Sequence, residues 1–231
     1  MFTDFFPRMW ELMTKYSKNL FAGFGNTVLI AFCAFLIGLF IGCLVVTIKL
    51  IPKKHNSYLL RFLDMLANMY LAIFRGTPVV VQLLFSYFAI LLPIGMPPLL
   101  VAIIIFGLNS GAYVSEIMRG GILAIDKGQL EASRSLGMNY GQSMTKIILP
   151  QGIKNSIPNL ANEFITLLKE TSVAGFIGAI DLTKAIQLIL ASKPYVAAGY
   201  FLLGLIYFIV IYISTKLIQL LERRLRQSDN R

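Results

Sequence analysis

The sequence is poor in charge, in cysteine and above all in histidine, and these scarcities exclude most enzyme classes. Charged residues make up 14 % of the 231 residues, and His55 is the single histidine. A lone histidine in a basic segment is typical of a surface residue near lipid headgroups, and it leaves no Ser/His/Asp or Cys/His set for nucleophilic catalysis. Cys33 and Cys43 lie about 15 Å apart along one predicted helix, which is too far for a disulfide.

Two motifs that would bring a cofactor are also missing. The chain has no phosphate-binding loop of the form Gly-x4-Gly-Lys-Ser/Thr, so we expect it not to hydrolyse ATP by itself. It has no cluster of His, Cys, Asp or Glu with metal-ligand spacing. The sequence therefore predicts no catalytic residue, no metal and no cofactor in this chain.

Long uncharged stretches are what the sequence does have. They cover residues 19–48, 76–115 and 194–215, and about 20 apolar residues suffice to cross a bilayer. The middle stretch is twice that length and contains a proline-rich segment at 92–98, which predicts two crossings joined by a turn. Less uniform apolar stretches at 58–74 and 157–190 extend the second crossing and supply the fourth. The fold predicted is an all-α integral membrane protein with five transmembrane helices in a single domain, residues 1–231.

The distribution of lysine and arginine predicts the orientation. Basic residues are concentrated after the first span, after the third span and in the C-terminal tail at 222–231, whereas the turns near 93–98 and 192 carry only Lys193. Because cytoplasmic loops are enriched in Lys and Arg, the N-terminus is predicted outside and the C-terminus in the cytoplasm. Nucleic-acid binding is the alternative explanation of the net charge of +10, but charge confined to loops at one membrane face favours topology.

Two further features concern packing at the membrane. In residues 1–20, large apolar side chains including Trp10 recur at helical spacing opposite charged ones, which predicts a helix lying in the membrane interface. Gly38 and Gly42, four residues apart in the first span, predict a close helix–helix contact.

The segment 119–156 is a polar insertion between two spans, predicted to lie in the cytoplasm. It contains Glu131-Ala132-Ser133-Arg134-Ser135-Leu136-Gly137 and, after nine residues, Ile147-Ile148-Leu149-Pro150. Asp126 with Gln129 and Asn139 with Gln142 each predict a capping box that starts a short helix. Gly137 suits a left-handed residue ending the first helix, and Pro150 is predicted to end the second. The small residues of the first helix favour close contact with a soluble partner; a solvated loop without a partner is the alternative.

Polar residues recur on one predicted face of three spans, and such residues in a bilayer normally face a partner, a cavity or water. The three sets are Arg75, Gln82 and Ser86; Asn109, Tyr113 and Glu116; and Asn159, Glu163, Thr166 and Glu170. Together they predict a water-filled path. Structural alternatives exist: Arg75 snorkels or pairs with a carboxylate, and Glu116 forms an ion pair with Arg119 at i+3. Glu163 has no Lys or Arg three or four residues away, which leaves ligand contact and interhelical pairing as equal alternatives.

The segment Arg75-Gly76-Thr77-Pro78 predicts an interruption of the helical backbone. Pro78 has no amide to donate and Gly76 tolerates unusual backbone angles. A broken helix here would offer carbonyls and amides to a small zwitterion, because unpaired backbone groups at membrane depth are tolerated only inside protein or against water. A proline kink used only for packing is the alternative.

Together these motifs resemble the membrane subunits of polar amino-acid ABC importers, the histidine, glutamine, arginine and cystine type. The polar insertion is similar to their EAA loop (Glu-Ala-Ala, three residues, Gly, nine residues, Ile-x-Leu-Pro), with Ser133 where the pattern has Ala. The amino-acid branch is indicated by Arg75-Gly76-Thr77-Pro78 with Gln82, Glu116-x2-Arg119-Gly120-Gly121, Asn162-Glu163 and Lys169-Glu170-Thr171-Ser172. The resemblance covers roughly residues 23–221.

The resemblance implies a type I ABC importer permease in the bacterial cytoplasmic (inner) membrane. It implies a homo- or heterodimer of permease subunits, two copies of an ATPase that binds ATP and Mg²⁺, and an extracytoplasmic amino-acid-binding protein. The coupling contact with the ATPase would be made by Glu131, Ala132, Ser133, Gly137, Leu149 and Pro150. The substrate path would be lined by Glu163, Arg75, Thr77, Gln82, Asn109, Tyr113, Asn159 and Thr166.

Chemistry adds a limited indication of the substrate. A zwitterion needs an acceptor for its ammonium group, which Glu163 offers, and donors for its carboxylate, which Arg75 and Thr77 offer. A buried carboxylate favours basic amino acids. The alternatives are an ABC permease for another small solute, such as methionine or a compatible osmolyte, and an ATP-independent secondary transporter or channel, which leaves the loop unexplained. A purely structural membrane protein does not explain the three polar faces.

Overall fold

A computed structural model describes residues 4–51, 58–193 and 195–227, and the secondary structure of these residues is helical. The α-helices are α1 (Phe5–Lys15), α2 (Ser17–Leu50), α3 (Tyr58–Gly76), α4 (Val79–Phe85), α5 (Pro98–Leu123), α6 (Lys127–Ser135), α7 (Tyr140–Ser143), α8 (Leu149–Glu170), α9 (Leu182–Ala191) and α10 (Val196–Gln227). Two π-helical segments, Ser86–Leu91 and Met144–Ile148, and a 3-10 segment, Thr171–Ile177, extend them. The predicted positions of His55 and of residues 228–231 of the tail lie outside the described residues.

By length and composition, the described helices give three crossings, or the predicted five when each of two bent helix pairs is counted as one crossing. Three stretches are long and apolar enough to cross alone: Ser17–Leu50, Pro98–Leu123 and Val196–Arg223. The other two crossings are bent pairs, Tyr58–Gly76 with Val79–Leu91 at 106° and Tyr140–Ile177 with Leu182–Ala191 at 45°. A turn at 92–95 separates the second crossing from the third, as predicted from the proline-rich segment.

Helix α5 is the centre of the bundle. In its most apolar window 67 % of the residues are buried, against 33 % for α2 and 22 % for the last crossing. Phe106 on α5 is fully buried together with Ile30 on α2, Leu83 on α4 and Leu167 on α8. Many large apolar side chains of α2 and α10 are exposed, among them Phe21, Phe40, Phe208 and Leu217, as expected for helices that face lipid.

Glycines allow α2 to approach α5 closely, as predicted from Gly38 and Gly42. A Cβ on Gly38 would lie 2.9 Å from the Ser110 side-chain oxygen, and one on Gly42 would overlap the Val114 side chain. The facing helix has a matching pair, since a Cβ on Gly107 would lie 2.7 Å from Ile37 and one on Gly111 2.9 Å from Ile41. Small residues on both sides therefore set the α2–α5 distance.

The helix α1 lies against the end of the bundle and presents two large apolar side chains outward. Leu12 is buried, while Phe6 and Trp10 are largely exposed. Glu11 forms an ion pair with Lys193 at 3.5 Å, which ties α1 to the segment between α9 and α10. This division of apolar residues is the one expected for an interfacial helix.

Three local predictions are wrong. Arg75, Gln82 and Ser86 do not share one helical face, because the chain bends by 106° between α3 and α4. The side chain of Asp126 caps α6 by accepting from the Gly128 amide at 2.7 Å, so the reciprocal box with Gln129 does not form. Pro150 does not end a helix; it lies in the first turn of α8, where a missing amide is tolerated.

The other local predictions for the polar insertion are confirmed. Asn139 and Gln142 form a reciprocal capping box, with both bonds at 2.9 Å. Gly137 has φ of +86°, in the left-handed region, and follows the end of α6. Between the end of α5 at Leu123 and the start of α8 at Leu149 the chain therefore forms two short helices, α6 and α7.

Candidate functional site

Two buried amide side chains donate hydrogen bonds to the backbone carbonyls left free at the break between α3 and α4. The Gln82 Nε2 group donates to the carbonyls of Phe74 and Thr77, both at 3.0 Å, and to Thr77 Oγ1 at 2.9 Å. Asn109 on α5 donates from Nδ2 to the Phe74 carbonyl and to Gln82 Oε1, both at 3.0 Å. The broken helix predicted at Pro78 is present, but amides of this chain occupy its free carbonyls. Gln82 and Asn109 therefore stabilise the break.

Arg75 and Arg119 lie on either side of one carboxylate. Arg119 donates to both oxygens of Glu116, at 2.8 and 3.2 Å, which confirms the predicted i,i+3 ion pair. Arg75 approaches the same carboxylate from α3, with Nη1 3.4 Å from Glu116 Oε2. The two guanidinium groups are partly exposed and give the cluster a net positive charge. A guanidinium has five N–H donors, so the contact with Glu116 leaves further donors on Arg75.

Glu163 is a buried carboxyl group of α8 that contacts the central helix α5. Its side chain on α8 is 9 % exposed, and its Oε1 accepts a hydrogen bond from Ser110 Oγ on α5 at 2.8 Å. Among the residues that the structure describes, no lysine or arginine forms an ion pair with it. The interhelical partner is therefore a neutral hydroxyl, which supplies no countercharge to this carboxyl group in a region where an unpaired charge is costly.

The remaining predicted path residues occupy more open positions. Tyr113 on α5 and Asn159 on α8 are exposed, and Thr166 is half-buried with its hydroxyl donating to the Asn162 carbonyl at 3.2 Å. Thr77 is exposed beside the break and donates to the Ile73 carbonyl at 2.8 Å. The structure thus joins Glu163 to α5 through Ser110, and Gln82 to Asn109.

Ser110 was missed by the sequence reasoning, as were Gly107 and Gly111 beside it. Gly107 and Gly111 are four residues apart in an apolar span, the same spacing that identified Gly38 and Gly42. Applied to α5, that rule would have placed its contact with α2 on this face. That Ser110 also reaches Glu163 depends on the packing of α8, for which the sequence carries no signal.

The polar insertion exposes one face of α6 and buries the other. Glu131, Ala132 and Gly137 are exposed, and Leu136, at 84 % exposed, is a large apolar side chain in water. Ser133 is 2 % exposed, and its hydroxyl donates to the Leu130 carbonyl at 2.8 Å. The one departure from the Glu-Ala-Ala pattern therefore lies on the inner face and leaves the outer surface unchanged.

The same insertion is tied to two crossings. Tyr140, at the start of α7, donates from its hydroxyl to the Leu50 carbonyl at the end of α2, at 3.2 Å. The π-helical segment Met144–Ile148 then leads directly into Leu149 and Pro150 of α8. The outer surface of α6 is thus linked to the helix that carries Glu163.

Comparison with known proteins decides the family. Residues 34–227 match the family described as a binding-protein-dependent transport system inner membrane component. The chain belongs to this family. As a permease of an ABC importer it is a multi-pass inner membrane protein, and family membership implies that a binding protein and an ATPase act with it.

Relatives and solved structures agree with this assignment. A putative glutamine transport system permease of Rickettsia bellii is 40 % identical over 91 % of this chain and 99 % of its own. The arginine transport system permease ArtQ of Bacillus subtilis is 38 % identical over 90 % and 92 %. The crystal structure of an amino acid ABC transporter with histidines has a TM-score of 0.84 at 37 % identity, over 92 % of this chain and 96 % of its own. These comparisons confirm the resemblance to amino-acid permeases drawn from the motifs.

A more distant likeness concerns the fold alone. An inward-facing methionine ABC transporter, MetNI, aligns over 96 % of this chain with a TM-score of 0.64 at 23 % identity. The fold is therefore shared with a methionine ABC transporter.

Proposed function

We propose that this chain forms the translocation path of an ATP-driven importer of polar amino acids, with a preference for basic ones. The observation that carries the preference is Glu163, whose side-chain partner in the described part of the chain is the neutral hydroxyl of Ser110 at 2.8 Å. A cationic group of the substrate would supply the missing countercharge. The arginine permease among the relatives supports a cationic substrate, and the glutamine permease supports a neutral polar one.

The substrate carboxylate would be bound by donors at the α3–α4 break. Arg75 is partly exposed and contacts Glu116 through one of its nitrogens at 3.4 Å, so other N–H groups can reach a ligand. Thr77 is exposed next to it. Amino-acid recognition in this proposal uses a carboxylate on α8 and cationic and hydroxyl donors between α3 and α4.

The path would alternate its opening between the two membrane faces. Two such permease subunits, identical or similar, would enclose it, with the N-terminus outside and the C-terminus in the cytoplasm. An extracytoplasmic binding protein would deliver the amino acid. Two ATPase subunits, which hold ATP and Mg²⁺, would dock on the outer face of α6 at Glu131, Ala132 and Gly137.

ATPase closure would then reach the substrate site through α7, which continues without a break into α8. The exposed apolar side chain of Leu136 and the small residues beside it provide the docking surface. Movement of α6 and α7 would pass through the π-helical segment into Leu149 and Pro150, and so into α8.

Glu163→Gln tests the substrate preference. The complete transporter, reconstituted in proteoliposomes with its ATPase and binding protein, is assayed for uptake of radiolabelled arginine and glutamine. A charge-assisted contact contributes about 1.5–3 kcal/mol, so we expect the KM for arginine to rise about tenfold or more, with complex assembly unchanged.

The comparison variant is Glu170→Gln, which changes the other carboxylate of α8, two turns further along the helix. An equal rise in the KM for arginine in both variants would indicate that uptake needs carboxyl groups on α8 in general. Unchanged arginine kinetics in Glu163→Gln would refute the role of Glu163. Uptake that is driven by an ion gradient in vesicles without the ATPase would refute the ATP-driven proposal as a whole.

A further inference from the structure

Gly38 lies directly beneath the hydroxyl that holds Glu163. A Cβ built on Gly38 would lie 2.9 Å from Ser110 Oγ, 3.0 Å from Ser110 Cβ and 3.2 Å from the Gly111 amide nitrogen. Ser110 itself is fully buried. Three crossings therefore meet at one point: α2 through the bare backbone of Gly38, α5 through Ser110, and α8 through Glu163.

The hydroxyl of Ser110 has one proton, and its direction depends on the space around it. Other serines in this bundle bond mainly back to their own helix. Ser115 donates to the Ala112 carbonyl at 2.8 Å, and Ser156 donates to the Gly152 carbonyl at 2.8 Å with a longer contact of 3.5 Å to the Ile117 carbonyl of α5. Such back-bonding is the usual alternative for a serine in a helix. Ser110 instead donates across to Glu163 Oε1 at 2.8 Å.

We propose that Gly38 is a positioning residue for substrate selection, because the absence of a side chain there keeps the Ser110 hydroxyl directed at Glu163. A methyl group at position 38 would push Ser110 Oγ from its present place. The hydroxyl would then turn to a carbonyl of α5, and Glu163 would lose both its donor and its fixed orientation. This inference rests on the proposed role of Glu163 in binding the cationic group of the substrate.

Gly42 provides a matched control one turn along the same helix. A Cβ there would overlap the side chain of Val114 and lie 3.0 Å from the Ser115 amide nitrogen. Gly42→Ala therefore perturbs the same α2–α5 contact at least as strongly as Gly38→Ala does. Its apolar neighbour Val114 makes no hydrogen bond to Glu163, so the difference between the two variants isolates the effect on the carboxylate.

The test measures arginine and glutamine uptake by the complete transporter in proteoliposomes, with the binding protein and ATP supplied. For Gly38→Ala we expect the KM for arginine to rise about tenfold, because a Glu163 that has lost its orientation loses most of its charge-assisted contact with the substrate, with a smaller change for glutamine. Gly42→Ala should change assembly or the maximal rate of uptake. The ratio of the KM for arginine to the KM for glutamine should stay as in wild type.

Ser110→Ala keeps the proposal testable whether or not Gly38→Ala assembles. It removes the hydroxyl and adds no atom, and it should reproduce the rise in KM and the altered ratio. Adding Gly38→Ala to Ser110→Ala should change the ratio no further, because both act through one hydrogen bond. A wild-type ratio in Ser110→Ala would overturn the proposal.

The experiment separates this inference from the proposed function. If Glu163→Gln changes arginine selectivity while Gly38→Ala behaves as Gly42→Ala does, Glu163 binds substrate and Gly38 has only a packing role. If Glu163→Gln leaves selectivity unchanged, the proposed function of Glu163 fails, and the inference about Gly38 fails with it.

Discussion

Replacing Asn109 by leucine should destabilise the break between α3 and α4 by a predictable amount. The Asn109 Nδ2 group donates two hydrogen bonds, to the Phe74 carbonyl and to Gln82 Oε1, both at 3.0 Å. Interhelical hydrogen bonds in membranes contribute about 0.6–1 kcal/mol each. Asn109→Leu should therefore lower the free energy of unfolding by about 1–2 kcal/mol, because the bond from Gln82 continues to satisfy the Phe74 carbonyl.

Gln82→Leu should lower the free energy of unfolding more than Asn109→Leu does. Its Nε2 group has two protons shared among three acceptors at 2.9–3.0 Å, and its Oε1 accepts from Asn109. Removing the Gln82 amide leaves the Thr77 carbonyl without this donor. The loss of about three hydrogen bonds, at about 0.6–1 kcal/mol each, should lower the free energy of unfolding by about 2–3 kcal/mol. The double variant should lose less than the sum, by about 0.6–1 kcal/mol, because the direct Asn109–Gln82 bond is counted in each single variant.

The assay is reversible unfolding of the purified subunit in mixed micelles, followed by circular dichroism for the wild type, both single variants and the double variant. Asn159→Leu is the control, since this asparagine is exposed on α8, and it should leave stability unchanged. Strictly additive losses, or an Asn109→Leu variant as stable as wild type, would refute the account of the break as a structure held by two coupled amides.

Three further variants test other parts of the structure. Leu136→Asp should weaken association with the ATPase about tenfold in a pull-down, by the loss of one buried apolar contact, whereas Ser133→Ala, on the inner face, should bind as wild type. Gly111→Ala should destabilise the subunit by about 1–3 kcal/mol in thermal unfolding, because the added methyl lies 2.7 Å from the Tyr70 hydroxyl and 2.9 Å from Ile41; Gly204→Ala, with open space around it, should be neutral. Asp181→Ala should destabilise it by about 1 kcal/mol, since the carboxylate caps α9 through two amides at 2.9 and 3.0 Å.

The sequence predicts the spans and the polar insertion well because these depend on local composition. A bilayer imposes about 20 apolar residues per crossing, so the runs at 19–48 and 76–115 are sufficient to locate helices. Gly137 and the Asn139–Gln142 box are equally local, since each satisfies backbone groups within a few residues. Such features need no knowledge of the tertiary structure.

The polar contacts were less predictable because they depend on where helices bend and cross. Helical spacing placed Arg75 and Gln82 on one face, which requires a continuous helix, but the bend at Pro78 directs Gln82 back onto the Phe74 carbonyl. The partner of Glu163 lies 53 residues away on another helix, and no periodicity connects it with Ser110. Sequence reasoning therefore identified the polar residues and left their partners open.

Continuity between the polar insertion and α8 suggests how ATPase movement reaches Glu163. Close to the polar insertion, α8 packs tightly on α5 through glycines of both helices, since a Cβ on Gly152 would lie 2.6 Å from Ile122 Cγ1 and one on Gly121 would overlap the Ser156 side chain. At 1.5 Å per residue, Tyr140 is about 18 Å from Gly152 and Glu163 is about 16 Å from it on the other side. Pro158 lies inside α8 between Gly152 and Glu163, and a proline inside a helix marks the place where the helix bends. Under the function proposed above, ATPase movement that bends α8 at this proline would shift Glu163 relative to Ser110, and a shift of about 1–2 Å, the size of common helix shifts, would break their 2.8 Å hydrogen bond.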